Sequence, residues 1–354
     1  MATAVSWYQT DITGLLTEAS PLVVFMADDG AMWKNDSGDG DSGLGGVEQV
    51  LVPVLDVLIL VLGVTGHCLV MVILCGRRHR KGAGPGALPN QGSVSGTGTD
   101  ILLLALSAAD LLLLALLPFH TVAIAMQHWP FGDVLCRLVS FLGATCSTVS
   151  ALTLAALAVT RYLTVVKPTR AYNLLTRRRV ALAAAALWMP ALVLATPQLA
   201  FRSVGASQTD PDGLACFNFL SHGGQLAYGV CHFLLSFALP LGIIAVAYGR
   251  IYLFLWRSRQ SGRAPQVERY QRKVTQTSAL LVLAFTLCWL PSYGLTFALL
   301  GGGGNGATGS SPRFGPFSVF ARLMATSSTV ANPILYVLMS QKFRQDLLRL
   351  RCGA

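Results

Sequence analysis

Seven long apolar stretches constrain this chain more than any other feature: Val50–Cys75, Ile101–Met126, Leu138–Thr160, Val180–Ala200, Leu226–Tyr248, Ser278–Leu300 and Phe317–Met339. Each is long enough to cross about 30 Å of hydrocarbon as a helix, which takes roughly 20 residues. A bilayer leaves only helices and closed barrels, because every backbone N–H and C=O must be satisfied within the protein. A barrel strand needs only about 10 residues and alternates apolar with polar side chains. These runs are rich in Leu, Ala and Val without alternation, so the expected fold is all-α: a seven-transmembrane helix bundle. Composition agrees, with 12% charged and 53% hydrophobic residues, against roughly 25% charged in soluble domains. That balance excludes a soluble or disordered chain. Eight scattered cysteines without a CxxC pair exclude a disulfide scaffold and give no zinc or redox motif.

Orientation follows from the basic residues, which favour cytoplasmic connections. Arg77, Arg78, Arg80 and Lys81 follow the first segment, and Arg161, Lys167, Arg170 and Arg177–Arg179 the third. Arg250, Arg257, Arg259, Arg263, Arg269, Arg272 and Lys273 follow the fifth, and Lys342, Arg344, Arg349 and Arg351 the last. The net charge of +10 is therefore a basic inner face rather than a nucleic-acid surface. Acids cluster before the first segment, from Asp11 to Glu48, which places the N-terminus outside. The only glycosylation sequon, at Asn35, falls in that outer segment. The organisation expected is an acidic extracellular segment over residues 1–48, a receptor-sized bundle over 49–339, and a short cytoplasmic tail over 340–354. Phe343, Leu347, Leu348 and Leu350, interleaved with basic residues, suit an amphipathic eighth helix on the inner leaflet. Two connections, Gly82–Thr99 and Gly301–Gly315, read as flexible Gly-rich links.

Hydrophobicity alone also describes a transporter or an integral membrane enzyme, so intramembrane polar groups must decide. Asp110 lies mid-segment, where a carboxylate costs at least about 2.5–3.5 kcal/mol and needs a partner. Either it makes a structural hydrogen bond, or it joins Ser150, Ser328, Thr329 and Asn332 in a small cation pocket.

The ordered motifs resemble those of the rhodopsin-like (class A) G-protein-coupled receptors. Helix two has Leu106-Ser107-Ala108-Ala109-Asp110, helix three ends Thr160-Arg161-Tyr162, and helix four carries Trp188. Helix five has Pro240 and Tyr248, helix six Phe285-Thr286-Leu287-Cys288-Trp289-Leu290-Pro291, and helix seven Asn332-Pro333-Ile334-Leu335-Tyr336. The resemblance implies a Cys136–Cys216 disulfide and a sodium ion or switch at the Asp110 group. It also implies G-protein contacts at Arg161, Tyr162, Tyr248 and Tyr336. Cys352, beside basic residues in the tail, is a palmitoylation candidate.

Three departures stand out. His67 replaces the usual Asn after Gly66, Thr160 replaces the usual Asp before Arg161, and the first inner loop is long. The acid often found at the inner end of helix six is also missing, because Gln271 stands there.

Gly143 occupies the position of the amine-binding Asp, so a monoamine is excluded, and helix seven contains no Lys for a retinal Schiff base. No catalytic constellation is apparent, so no enzyme activity and no cofactor are expected. Trp129-Pro130-Phe131-Gly132 and Arg272-Lys273-Val274-Thr275 resemble receptors of the galanin, kisspeptin and allatostatin-A kind. His120, Trp129, His232, Trp289, Tyr293 and Arg322 are candidate ligand contacts, with Gln198, Phe219, Thr296 and Phe320 as further outer-bundle candidates. Arg322 is costly in a membrane unless it meets a ligand or Asp56. The expected function is a plasma-membrane receptor for an extracellular neuropeptide that activates heterotrimeric G proteins; the alternative is a class A receptor for a lipid or other small non-amine ligand.

Overall fold

The computed structural model describes residues 42–82, 91–126, 128–206, 214–218, 222–260, 265–301, 315–339 and 345. Three long helices come first: α1 (Ser42–Gly82), α2 (Gln91–Met126) and α3 (Gly132–Val166). The inner turn holds α4 (Pro168–Leu174), and the fourth rod is α5 (Arg177–Ala186) continued by α6 (Trp188–Phe201). An outer hairpin, β1 (Arg202–Ala206) and β2 (Leu214–Asn218), leads to α7 (His222–Phe233). A π turn over Leu234–Ala238 joins α7 to α8 (Leu239–Gln260), and α9 (Pro265–Gly301) and α10 (Gly315–Met339) complete the bundle. Among the described residues, five spans are long and apolar enough to cross a membrane, and Val282–Ala298 is a shorter apolar stretch.

α3 is the axis of the bundle, packing against α2, α6, α8 and α9. Its apolar stretch is 72% buried, whereas the α5–α6 stretch is 22% buried and turns Leu182, Met189 and Val193 outward. In water such a face would be a liability; in lipid it is the solvated surface. Toward the inner half, the core is formed by Val70, Ile73, Leu102, Leu106, Leu154 and Ala158 around Leu175, Ile244 and Val282.

Prolines punctuate the bundle. Pro118, Pro197, Pro291 and Pro333 all lie inside helices. Each removes one backbone donor and bends its helix, a cost that neighbouring polar side chains relieve in a membrane. Gly132 has φ +74°, so the chain turns from Trp129-Pro130-Phe131 into α3 through a left-handed backbone that only glycine adopts without penalty. Gly66 serves differently, since a Cβ there would lie 2.9 Å from the Pro333 ring, so α1 and α10 approach through its missing side chain.

One sequence expectation is corrected. The link Gly82–Thr99 is not irregular throughout, because α2 already begins at Gln91. Small residues there let the inner end of α2 lie close to its neighbours: an added Cβ on Gly98 would stand 3.4 Å from Val180. The connection after the fourth rod forms an antiparallel pair with Val204 opposite Cys216.

Candidate functional site

Polar residues run down the bundle in layers, beginning with the hairpin lid. Cys136 at the start of α3 is disulfide-bonded to Cys216 on β2, with Cα atoms 5.7 Å apart. Asp133 accepts hydrogen bonds from the Ser203 hydroxyl and, at 3.0 Å, from the Val204 backbone N–H. It also pairs with Arg137 at 2.7 Å. Buried Arg202 donates to Gln198 at 3.2 Å and to the Cys216 carbonyl at 3.1 Å, tying the hairpin to α6. Trp129 sits beneath this lid, its backbone N–H bonded to Leu214 and its indole N–H donating to Gly132 at 3.0 Å. Of the aromatic candidates, Trp129 is therefore committed to holding the lid, with His120 tilted against it at 6.4 Å between centroids.

Below the lid are two clusters. On one side, Arg322 of α10 donates to Asp56 of α1 at 2.6 Å, and Thr121 of α2 donates to the same carboxylate oxygen at 3.0 Å. Both charged groups are buried, so the pair resolves the intramembrane cost of Arg322 that the sequence raised. His120 lies within electrostatic reach of Arg322. On the other side, the Ser236 hydroxyl of the π turn sits 3.1 Å from His232 Nδ1 and 2.8 Å from the Tyr293 hydroxyl. Phe233, Phe237 and Phe297 surround this bridge, with Phe237 4.9 Å from the Tyr293 ring. Of the outer candidates, the structure thus joins His232 to Tyr293 and Arg322 to Asp56. Thr296 bonds its own helix at Ser292, Phe320 is exposed beside Phe317, and Phe219 lies outside the described residues.

The middle layer links these clusters to the core. The Trp289 ring lies tilted against Phe285 at 5.7 Å and Tyr293 at 6.4 Å between centroids, and its indole N–H donates to Ser328 of α10 at 3.2 Å. Beneath it, Asp110 accepts from Ser150 at 2.9 Å and from Asn332 at 2.6 Å. His67, the departure on α1, places Nε2 2.8 Å from the Thr329 carbonyl and 3.5 Å from Asp110. It thereby joins α1, α2 and α10 where Asn was the expected bridge. The Ser328 and Thr329 hydroxyls donate to carbonyls of their own helix, at Ala325 and Thr326. At the inner layer, Thr160 donates to Leu157 at 2.8 Å. Tyr162 and Tyr248 pack against the inner core. The side chain of Tyr336, and Asn35 and Cys352 entirely, lie outside the described residues.

Sequence reasoning missed Ser236, whose significance rests on the π turn, and Asp133, which reads as an ordinary acidic first-turn residue. A π turn admits one extra residue per turn and is often found where a helix must re-aim a functional side chain.

A bundle with a disulfide-strapped outer lid, a polar midsection and proline-bent helices defines a polytopic membrane receptor. The profile of the seven-transmembrane receptors of the rhodopsin family matches residues 92–336, and the chain belongs to that family. Its members are receptors rather than enzymes. The chain is 28% identical over 333 residues to galanin receptor type 2 of Rattus norvegicus, covering 90% of this chain and 81% of that one. It is 32% identical over 336 residues to somatostatin receptor type 5 of Bos taurus, with 89% and 82% covered. With galanin receptor type 3 of Homo sapiens it shares 30% identity over 317 residues, covering 87% and 81%.

Proposed function

We propose that the chain is a plasma-membrane receptor for an extracellular neuropeptide of the galanin-like class, with its N-terminus outside, and that it activates heterotrimeric G proteins. The observation that carries this reading is the His232–Ser236–Tyr293 bridge, walled by phenylalanines and set directly above Trp289. Mostly aromatic walls with a few fixed polar groups are the chemistry of a ligand pocket. A peptide side chain entering this cluster would compete for the Ser236 and His232 bonds and press on Tyr293. Tyr293 lies one turn above Trp289 on α9, and Trp289 is bonded to α10. Displacement there would turn α9 about Pro291 and open the inner face around Arg161, Tyr162, Tyr248 and Tyr336.

A ligand drives this change only through its stronger binding to the active arrangement. The acidic segment 1–48, the lid and the bundle over 49–339 would then receive the peptide, while the tail over 340–354 meets the inner leaflet. Relatives named for galanin and somatostatin support a peptide over a lipid.

The test is a calcium and cyclic-AMP screen of a neuropeptide library, with galanin and somatostatin included, on cells expressing the receptor at the surface. The expected result is a saturable response to a peptide that weakens when Tyr293 is changed to Ala at equal surface density. A response confined to a parallel lipid library would overturn the peptide reading.

A further inference from the structure

The family resemblance implied a sodium ion at Asp110, and the surrounding atoms allow that fit to be judged. A hard cation takes its shell from oxygen lone pairs. Around Asp110 the neighbours instead direct hydrogens at the carboxylate. Ser150 donates to Oδ1 at 2.9 Å, and Asn332 turns its amide nitrogen, not its oxygen, to Oδ2 at 2.6 Å. His67 Nε2 stands 3.5 Å from that same Oδ2. The hydroxyls of Ser328 and Thr329 are turned back onto their own helix, donating to Ala325 and Thr326, and Ser328 also accepts from Trp289. His67 stands over the Thr329 carbonyl at 2.8 Å.

We propose that His67 closes this site to sodium, its ring filling the space beside Asp110 while side-chain donors from α3 and α10 hold the carboxylate in place of a metal ion. His67 is wholly buried, and its Nδ1 has no hydrogen-bond partner, so the ring is anchored through Nε2 alone. Swinging the ring aside to admit an ion would forfeit the buried Thr329 bond. An asparagine is shorter than the imidazole and carries an amide oxygen as well as its nitrogen. It would leave room, and an oxygen, that the histidine does not. The inference concerns this layer alone and holds whichever ligand the receptor takes.

A ligand that binds the folded state and not the unfolded one raises the unfolding midpoint as the logarithm of its concentration once that exceeds Kd, so sodium itself is the probe. Purified full-length receptor would be melted in sodium chloride and in N-methylglucamine chloride at matched ionic strength across a sodium titration. The wild type should melt at the same temperature in both salts. His67→Asn should melt higher in sodium, dose-dependently, and His67→Asn/Asp110→Asn should lose that gain. Should His67→Asn not yield folded receptor, His67→Gln, which also carries an amide oxygen, takes its place. A wild-type receptor stabilised by sodium, with the effect abolished by Asp110→Asn, would overturn the proposal. A folded His67→Asn that stays indifferent to sodium would equally overturn the role given to His67.

Discussion

At the scale of single residues, the costliest side chains are also the most readable. Arg322 in an apolar segment demands a partner, and the sequence offered Asp56; the structure joins them at 2.6 Å. Removing one member of a buried pair leaves the other charged and unpaired, at a cost of about 3–5 kcal/mol, whereas an apolar pair of similar size is often tolerated. Asp56→Leu alone and Arg322→Met alone should therefore each lower the thermal midpoint of the purified receptor strongly, and the double variant should recover most of the loss. Additive losses in the double variant would show that the pair does not act as a unit. Other residues were legible as departures but not in their consequence. His67 was visible as the wrong amide substitute, yet its bond to Thr329 depends on how α1 meets α10. The sequence around Trp129 marks it as an aromatic candidate but does not reveal the hairpin that covers it, since that hairpin lies much further along the chain.

At the scale of elements, the apolar runs mark the rods because burial in lipid forces each to close its own hydrogen bonds. What they do not mark is irregularity within a rod. The π turn over Leu234–Ala238 has no Gly or Pro inside it, and the strands over Arg202–Ala206 and Leu214–Asn218 owe their pairing to the disulfide and Asp133. Helix contacts give a sharp prediction. A Cβ at Gly66 would lie 2.9 Å from two atoms of the rigid Pro333 ring, whereas one at Gly63 would meet the tip of the flexible Leu114 side chain. Overpacking against an unyielding neighbour costs about 1–3 kcal/mol. Gly66→Ala should lower the thermal midpoint clearly and Gly63→Ala little, a ranking that paired melts would check. The disulfide spans 80 positions, and loop closure of that size is worth about 4–5 kcal/mol on the disputed entropy model. Cys136→Ser should therefore reduce surface expression sharply, as antibody staining of intact cells would measure.

For the whole molecule, if the receptor activates G proteins as proposed, what restrains Arg161 would help set the balance between inactive and active arrangements. Thr160 stands where the family usually has a carboxylate and spends its hydroxyl on Leu157. A partly exposed ion pair is worth about 0.2–1 kcal/mol, which is up to roughly a fivefold change in population. Thr160→Asp should lower ligand-free nucleotide exchange on the G protein at matched receptor density by up to that factor. Equal basal exchange in the two receptors would show that Arg161 is restrained from elsewhere. The hairpin lid carries a different whole-molecule consequence. It is fixed to α3 by the disulfide and Asp133, and to α6 by Arg202. Its loss of conformational freedom is thus incurred once, during biosynthesis, rather than at every encounter with a ligand. A flexible ligand arriving beneath the lid would then have only its own ordering to bear, which would leave more of its contact energy to appear as residence time.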